Sequence, residues 1–381
     1  MITQWIWQQP DWPDFNWQAE RLAPLLRECV QAQGQLMGMA GSVGNSLSAQ
    51  TELDALLQNI VTSSAIEGEQ LNVGSVRSSL ARRLGLELPD SDKVSQRSEG
   101  LAQLMLDATR RFAEPLTLER LLEWHRWLFP DQESDFTARS MHVGALRGDE
   151  PMQVVSGRLD RPTVHFEAPA RQGLERQVDK FLTWFEASQH QTALDPLLRA
   201  GIAHFWFVTL HPFDDGNGRL TRTITDLALA QGEAQAIRFY AMSASILDDR
   251  NGYYRVLEAS QKATLDVTQW LTWFLQTLLR SLQQAIARIE SVLGKTRFWQ
   301  AHRETELSME QSKVLNRLLD GGERGFEHGI SAAQYQAVAK VSKATATRHL
   351  AELLEKGCLQ RMPGGGRSTR YKINYPDNSS N

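Results

Sequence analysis

The sequence predicts a mostly α-helical protein that carries one small β-hairpin and ends in a separate module of three helices and a second hairpin. Three observations predict it. Apolar residues recur at helical spacing through most of the chain. Strand-like runs are confined to 152–166 and to the last quarter. A composition shift near Leu307 separates a basic tail from an acidic body: residues 307–381 hold 11 Lys and Arg against 7 Asp and Glu, although the whole chain is net −4.

The elements follow in order. Residues 17–38 set Leu22, Leu25, Leu26, Cys29 and Val30 on one stripe, and a second amphipathic helix runs through Leu53, Leu56, Leu57, Ile60 and Val61. Further helices are expected near 73–85, 95–112, 116–128 and 171–188. The segment 195–210 is apolar almost all round and reads as a central buried helix. Helices near 217–231, 246–262 and 267–298 complete the body. MQVV and TVHF, within 152–166, flank a turn rich in Gly, Asp and Pro and form the hairpin. In the tail, Ser308 and Gln311 make a capping box, helices follow at 331–339 and 342–356, and CLQRM-PGGG-RSTRYKI reads as a hairpin. Three helices and a basic hairpin outline a winged helix. The expected division is 1–112, 113–300 and 307–375.

Composition excludes several classes. With 41% hydrophobic and 23% charged residues the chain is an ordinary globular protein of 381 residues, long enough for two or three cores. Two distant cysteines, Cys29 and Cys358, argue against a disulfide framework or a structural zinc. The sequence has no 18-residue apolar run and no signal-peptide pattern, so the expectation is a cytoplasmic protein with no membrane partner.

Chemistry concentrates in His211-Pro-Phe-Asp-Asp-Gly-Asn-Gly-Arg-Leu-Thr-Arg222, between two helices. Gly216, Asn217 and Gly218 permit a tight turn with close backbone approach, and the following helix N-terminus suits a phosphate. Arg219 and Arg222, three apart, project toward one anion. Asp215 suits Mg²⁺, and a neutral His211 imidazole suits abstraction of a proton from an attacking hydroxyl. A base, a metal and fixed positive charge are what nucleotidyl transfer needs.

The loop resembles the Fic family signature H-x-F-x-[D/E]-G-N-G-R-x-x-R at every fixed position, through His211, Phe213, Asp215, Gly216, Asn217, Gly218, Arg219 and Arg222. A chance match has odds on the order of 10⁻⁸ in a chain this size. The resemblance implies an all-α Fic fold with a β-hairpin flap, and transfer of AMP from Mg-ATP to a Ser, Thr or Tyr hydroxyl of a protein, the chain itself included. It implies that His211 is the base and Asp215 the metal ligand. The segment Gly216, Asn217, Gly218, Arg219, Leu220, Thr221 and Arg222 would take the phosphates, while Phe213 anchors the loop. Val154, Val155, Ser156 and Gly157 would be the flap that aligns the target, Arg147 a support, and Tyr253 and Tyr254 the nucleotide pocket. Ser63-Ser-Ala-Ile-Glu67-Gly68 is similar to the family's inhibitory motif, in which Glu67 pairs with Arg222; Ser63, one turn earlier, is placed to hydrogen-bond Glu67. The opening WIWQQPDWPDFNW looks like a domain often seen ahead of Fic cores.

Alternatives remain at this level. Within the family they are another nucleotide donor or removal of AMP. In another class lies a transcriptional regulator with a Fic sensor core, for which Lys343, Thr347 and Arg348 on the third tail helix and Arg361, Arg367, Arg370 and Lys372 on the hairpin would contact DNA. The same module serves equally for homodimerisation or target docking.

Overall fold

The structure, a computed structural model, describes residues 5–41, 45–88, 92–130, 141–158, 161–234, 239–262, 264–321, 326, 328–363 and 369–375. They divide into two compact units, Met1–Ala285 and Ile286–Asn381.

In the first unit a short 3-10 turn, Ile6–Gln8, precedes α1 (Ala19–Gly41), α2 (Asn45–Ile66), α3 (Val73–Leu84), α4 (Gln96–Arg110) and α5 (Leu118–Leu128). The antiparallel pair β1 (Gln153–Arg158) and β2 (Arg161–Glu167) follows, then α6 (Leu174–Ser188), α7 (Pro196–Leu210), α8 (Asn217–Glu233), α9 (Met242–Asp248), α10 (Arg250–Gln261) and the first part of α11 (Thr268–Ala301), which continues past Ala285 into the second unit. Helix starts follow the local chemistry. Asn72, Ser95, Thr117 and Asp195 each accept an amide of the first turn, and Pro196 opens α7. The single helix expected over 246–262 is two, because the Asp249 side chain accepts from Gly252 N–H and caps a new start. Val30, expected on the buried stripe of α1, is 51% exposed, while Leu22 and Cys29 on that stripe are buried.

The all-round apolar pattern of α7 reflects its place in the core: every residue from Leu197 to Leu210 is buried. Its main packing partner is α8, and α2, α4 and α5 also pack on α8. The helix that carries the two motif arginines is thus buried along most of its length. Helices of the expected 1–112 region and of the expected core share this one unit, α2 packing on α9 and α4 on α8.

The opening aromatic segment supports the hairpin. Trp5 packs edge-on against Phe166 with centroids 5.4 Å apart, and Trp7 Nε1 donates to the Glu167 carbonyl at 2.7 Å. The hairpin is two-stranded, with a bulge between Val154 and Val155, so the second edge of β1 pairs with no strand among the described residues. Its turn, 159–160, lies outside the described residues.

The second unit holds α12 (Met309–Leu319), α13 (Ala332–Ala339), α14 (Lys343–Glu355) and the antiparallel pair β3 (Leu359–Arg361) and β4 (Tyr371–Ile373). Capping boxes at Ser308/Gln311 and Ser331/Gln334 start the first two helices. Val314, Leu315, Tyr335, Leu350, Leu353 and Ile373 form its core. Lys343, Thr347 and Arg348 are exposed on α14, while Arg370 donates to the Gly329 carbonyl at 2.9 Å; Arg367 lies outside the described residues. No helix among the described residues is long and apolar enough to cross a membrane.

One buried ion pair ties α4 to α5. Asp107 accepts from Arg120 Nε at 2.7 Å and Trp124 Nε1 at 2.8 Å, and all three residues are buried. Removing the carboxylate strands a buried guanidinium, so Asp107→Ala should lower unfolding free energy by about 3–5 kcal/mol in a urea titration.

Candidate active site

The motif loop joins α7 to α8, and its shape is set from several directions. His211 ends α7 with φ 49° and ψ 55°, left-handed values that a histidine adopts only when its surroundings hold it there. Arg147, 2% exposed, donates its backbone N–H to the Pro212 carbonyl at 2.9 Å and its Nε to the His211 carbonyl at 3.0 Å. The same guanidinium reaches the Pro169 carbonyl just after the hairpin.

Phe213 is fully buried and stacks on His125 at 4.4 Å. His125 Nδ1 accepts the Gly144 N–H at 2.9 Å, and its Nε2 donates to the Asp215 carbonyl at 3.2 Å. Burial pushes this imidazole down to about 4, so it is neutral and keeps one donor and one acceptor. Asp214 accepts from the backbone N–H groups of His142 and Gly148 at 2.9 and 3.2 Å. Asn217 closes the loop on itself, its Oδ1 accepting from Phe213 N–H and its Nδ2 donating to the Phe213 carbonyl, at 2.9 and 2.7 Å.

Gly216 starts α8 at φ 79°, and no side chain caps the helix. A Cβ there would meet Phe129 at 2.9 Å. A Cβ on Gly218 would lie 2.1 Å from Glu67 Oε1, so the backbone comes this close to the carboxylate only as glycine.

The His211 ring hydrogen-bonds the Val208 carbonyl through Nδ1 at 2.9 Å. The carbonyl accepts, so Nδ1 carries the proton and Nε2 is the basic atom. Burial pushes the imidazole below its ordinary value, against the Val208 carbonyl and the charge of Glu67. Asp215 is 65% exposed at its side chain and accepts from Gly216 N–H. A single exposed carboxylate beside an anion-binding turn suits magnesium, which takes one or two carboxylates and completes its shell with phosphate oxygens and water. Among the described residues no cluster of three or more His, Cys, Asp or Glu could hold a metal by itself.

Arg222 is 3% exposed and points at the end of α2. Its Nε donates to Ser63 Oγ at 2.8 Å, and its Nη2 donates to the Ser63 carbonyl at 3.0 Å and Glu67 Oε1 at 2.8 Å. The expected bond from Ser63 to Glu67 is replaced: Ser63 turns its hydroxyl to the guanidinium, whose burial demands every acceptor within reach. Burial raises the Glu67 carboxyl, but the charge and hydrogen bond of Arg222, helped by Arg219, hold it below the usual carboxylate range. Gly68, at φ 82°, turns the chain after the helix.

A cavity of about 930 Å³ brings these groups together. His211, Asp215, Gly216, Asn217 and Gly218 line it together with Glu67, the flap residues Val154, Val155 and Ser156, and Tyr253 and Tyr254. The backbone of Gly157, near the hairpin end, pairs with Pro162. Leu220 and Thr221, expected on the phosphate side, are fully buried instead; Leu220 N–H bonds the Gly216 carbonyl and the Thr221 hydroxyl the Asn217 carbonyl. They face the helical core because they sit across α8 from the motif arginines.

Several participants, His125 among them, escaped the sequence reading. Arg250 Nε donates to the Ile66 carbonyl at 2.7 Å and so holds the C-terminus of α2. Glu69 Oε2 accepts from Arg219 at 2.7 Å. His165, brought round at the hairpin bulge, bonds Ser156 Oγ at 2.6 Å and Glu258 at 2.9 Å, linking the flap to α10. Arg250 precedes Asn251-Gly-Tyr-Tyr254 and Glu69 follows Glu67-Gly68, so both were adjacent to recognised segments; His165 and Glu258 had no local signal.

Comparison with known proteins agrees with this geometry. Residues 115–229 match the Fic/DOC family, and residues 5–86 match a domain of unknown function, DUF4172. The hairpin and the motif loop both lie within the stretch that is similar to the Fic/DOC family. Among curated proteins it is similar to protein adenylyltransferase Fic of Drosophila virilis, 25% identical over 245 residues covering 60% of this chain and 46% of the relative. The Drosophila melanogaster protein of the same name is 24% identical over 245 residues, covering 60% and 45%. The chain thus spans just under half the length of these relatives. Its fold is similar to a Fic family protein from Desulfovibrio desulfuricans G20, with TM-score 0.52 and 19% identity over 92% of this chain and 95% of that one. A Fic domain containing signaling protein from Bacteroides thetaiotaomicron gives 0.51 and 18% over 69% and 97%.

His125→Phe should preserve the stack on Phe213 while removing both hydrogen bonds. The Gly144 amide, left buried without an acceptor, should exchange faster with solvent, and stability should fall by about 1–3 kcal/mol. Amide hydrogen exchange and thermal melting measure the two effects.

Proposed function

We propose that the chain is a protein adenylyltransferase that moves AMP from Mg-ATP to a side-chain hydroxyl of a protein, and that Glu67 restrains it. The observation that carries this reading is the common cavity: a basic imidazole nitrogen, a glycine-rich helix start, an exposed carboxylate and an open strand edge meet there, with Glu67 on the motif arginine. The names of the curated relatives support the same reaction.

The roles follow from the chemistry of each group. The open edge of β1 pairs with an extended stretch of the target and aligns its hydroxyl. The Nε2 of His211 takes the hydroxyl proton as the oxygen attacks the α-phosphorus, and pyrophosphate leaves. Asp215 would hold Mg²⁺, which neutralises charge on the leaving phosphates. Backbone amides at Gly216, Asn217 and Gly218, with Arg219 and Arg222, hold the phosphates. The rings of Tyr253 and Tyr254 border the nucleoside end. Asn217 works through the loop, since its side chain is spent on Phe213. Glu67 competes for Arg222 and repels a γ-phosphate at the same place. Ser63 and Gly68 fix the helix end from which it acts.

His211→Ala should abolish transfer of label from ATP to protein while ATP still binds, because the imidazole acts on the hydroxyl. Glu67→Gly should raise transfer about tenfold or more, since a charge-assisted hydrogen bond contributes roughly 1.5–3 kcal/mol. Equal or lower transfer in a folded Glu67→Gly would remove the restraint from this account.

The pH profile carries a sign. The base works in its neutral form, and burial pushes its pKa below the ordinary imidazole value, so transfer should fall only on the acid side of that value. Glu67 raises the His211 pKa, so the acid limb of Glu67→Gly should lie lower still. An acid limb above 6.5 in the wild type would contradict the assignment of His211.

A further inference from the structure

The turn after α2 presents two carboxylates, and each meets a different arginine of α8. Glu67 binds Arg222, whereas Glu69 binds Arg219 and, from α4, Arg97. The Glu69 carboxylate is saturated with donors. Oε1 accepts from Arg97 Nε at 2.9 Å and Nη2 at 2.8 Å, and Oε2 accepts from Arg97 Nη2 at 2.9 Å and Arg219 Nη1 at 2.7 Å. Both guanidinium groups lie over the Phe129 ring, 5.4 and 5.0 Å from its centroid. Arg219 is 8% exposed at its side chain, and its Nε is buried without a hydrogen bond. Two guanidinium groups placed together over one aromatic ring offer the forked donors that bind an oxyanion bidentately.

This cluster walls a second cavity of about 580 Å³, lined by Glu67, Glu69, Arg97, Phe129, Asp215 and Arg219 among others. Glu67 and Asp215 also line the larger cavity that holds His211, so the two adjoin at the carboxylate assigned to the metal. A nucleotide whose α-phosphate lies at His211 would run its terminal phosphates past Asp215 toward Arg219 and so toward this space. On the nucleotide reading above, on which this inference rests and in which Arg219 and Arg222 hold the phosphates, we propose that Arg97 joins Arg219 as a further donor in the subsite for the departing pyrophosphate. Glu69 occupies that subsite as a built-in anion until phosphate displaces it.

The plain alternative is a structural ion pair that only fastens α4 to the motif helix. The two differ in what removal of the carboxylate does. A structural tie, once cut, loosens the site for every ligand. A plug, once removed, exposes two arginines to phosphate and leaves the nucleoside end unchanged.

Titration calorimetry on the full chain, in magnesium, with inorganic pyrophosphate and AMP as separate probes, decides between them. Glu69→Gln should bind pyrophosphate about tenfold tighter than wild type, the scale of one charge-assisted hydrogen bond, with AMP affinity unchanged. Adding Arg97→Gln should abolish the gain. Arg97→Gln alone, which does not depend on the folding of the Glu69 variant, should weaken pyrophosphate and leave AMP unchanged. Pyrophosphate affinity unaltered or weakened in a Glu69→Gln protein that melts like the wild type would overturn the proposal, as would a gain that survives Arg97→Gln. A pyrophosphate gain with no AMP binding by any variant would uphold the anion subsite and count against the nucleotide reading instead.

Discussion

The buried guanidinium of Arg222 is the constraint on which the site depends. A charge at 3% exposure needs acceptors, and all those it hydrogen-bonds lie on the last turn of α2 or just after it: Ser63 Oγ, the Ser63 carbonyl and Glu67. The end of α2 must therefore dock on the first turns of α8. Docking puts Glu67 over Gly218, where an added Cβ would meet the carboxylate at 2.1 Å. It also presents the Ile66 carbonyl to Arg250 on α10, the helix that carries Tyr253 and Tyr254. One charge thus links the helix before the core, the phosphate turn and the far wall of the cavity.

The loop itself is held by parts that are distant in sequence. Asn217 ties it locally, His125 from α5 ties it through Phe213 and the Asp215 carbonyl, and Arg147 ties it to the exit of the hairpin through two carbonyls. Fixed hydrogen bonds of this kind keep donors and the imidazole in place before any ligand arrives, which is what electrostatic stabilisation of a transferring phosphoryl group requires. The buried packing of α7 against α8 supplies the rigid base. The hairpin has a thinner foundation, resting on Trp5, Trp7 and the bond of His165 to Glu258.

Local signals were legible in the sequence, and long-range charge pairing was mostly not. The glycine turn, the capping box at Ser308 and the all-round apolar α7 are short-range features, and the structure has them where periodicity and capping chemistry put them. The pairing of Glu67 with Arg222, 155 residues apart, was readable only because a motif linked the two positions. Glu69, two residues away and bonded to the other motif arginine, was missed because no pattern marked it. Leu220 and Thr221 were assigned to phosphate from their place inside a motif, but helical geometry turns those positions into the core. Ser63 was paired with the nearer Glu67, whereas the buried cation takes its hydroxyl. For Glu69 and Ser63 the competing term was the need to satisfy a buried group from across the fold, which adjacency in sequence does not reveal.

The central claim is that Glu67 takes from the nucleotide an arginine that its phosphates need. ATP affinity, measured by titration for the wild type, Glu67→Gly, Arg222→Ala and the double variant, tests it most directly. The account predicts that Glu67→Gly tightens ATP when Arg222 is present and changes little when Arg222 is absent. Equal tightening in both backgrounds would contradict it, because Glu67 would then act on the phosphates without the arginine.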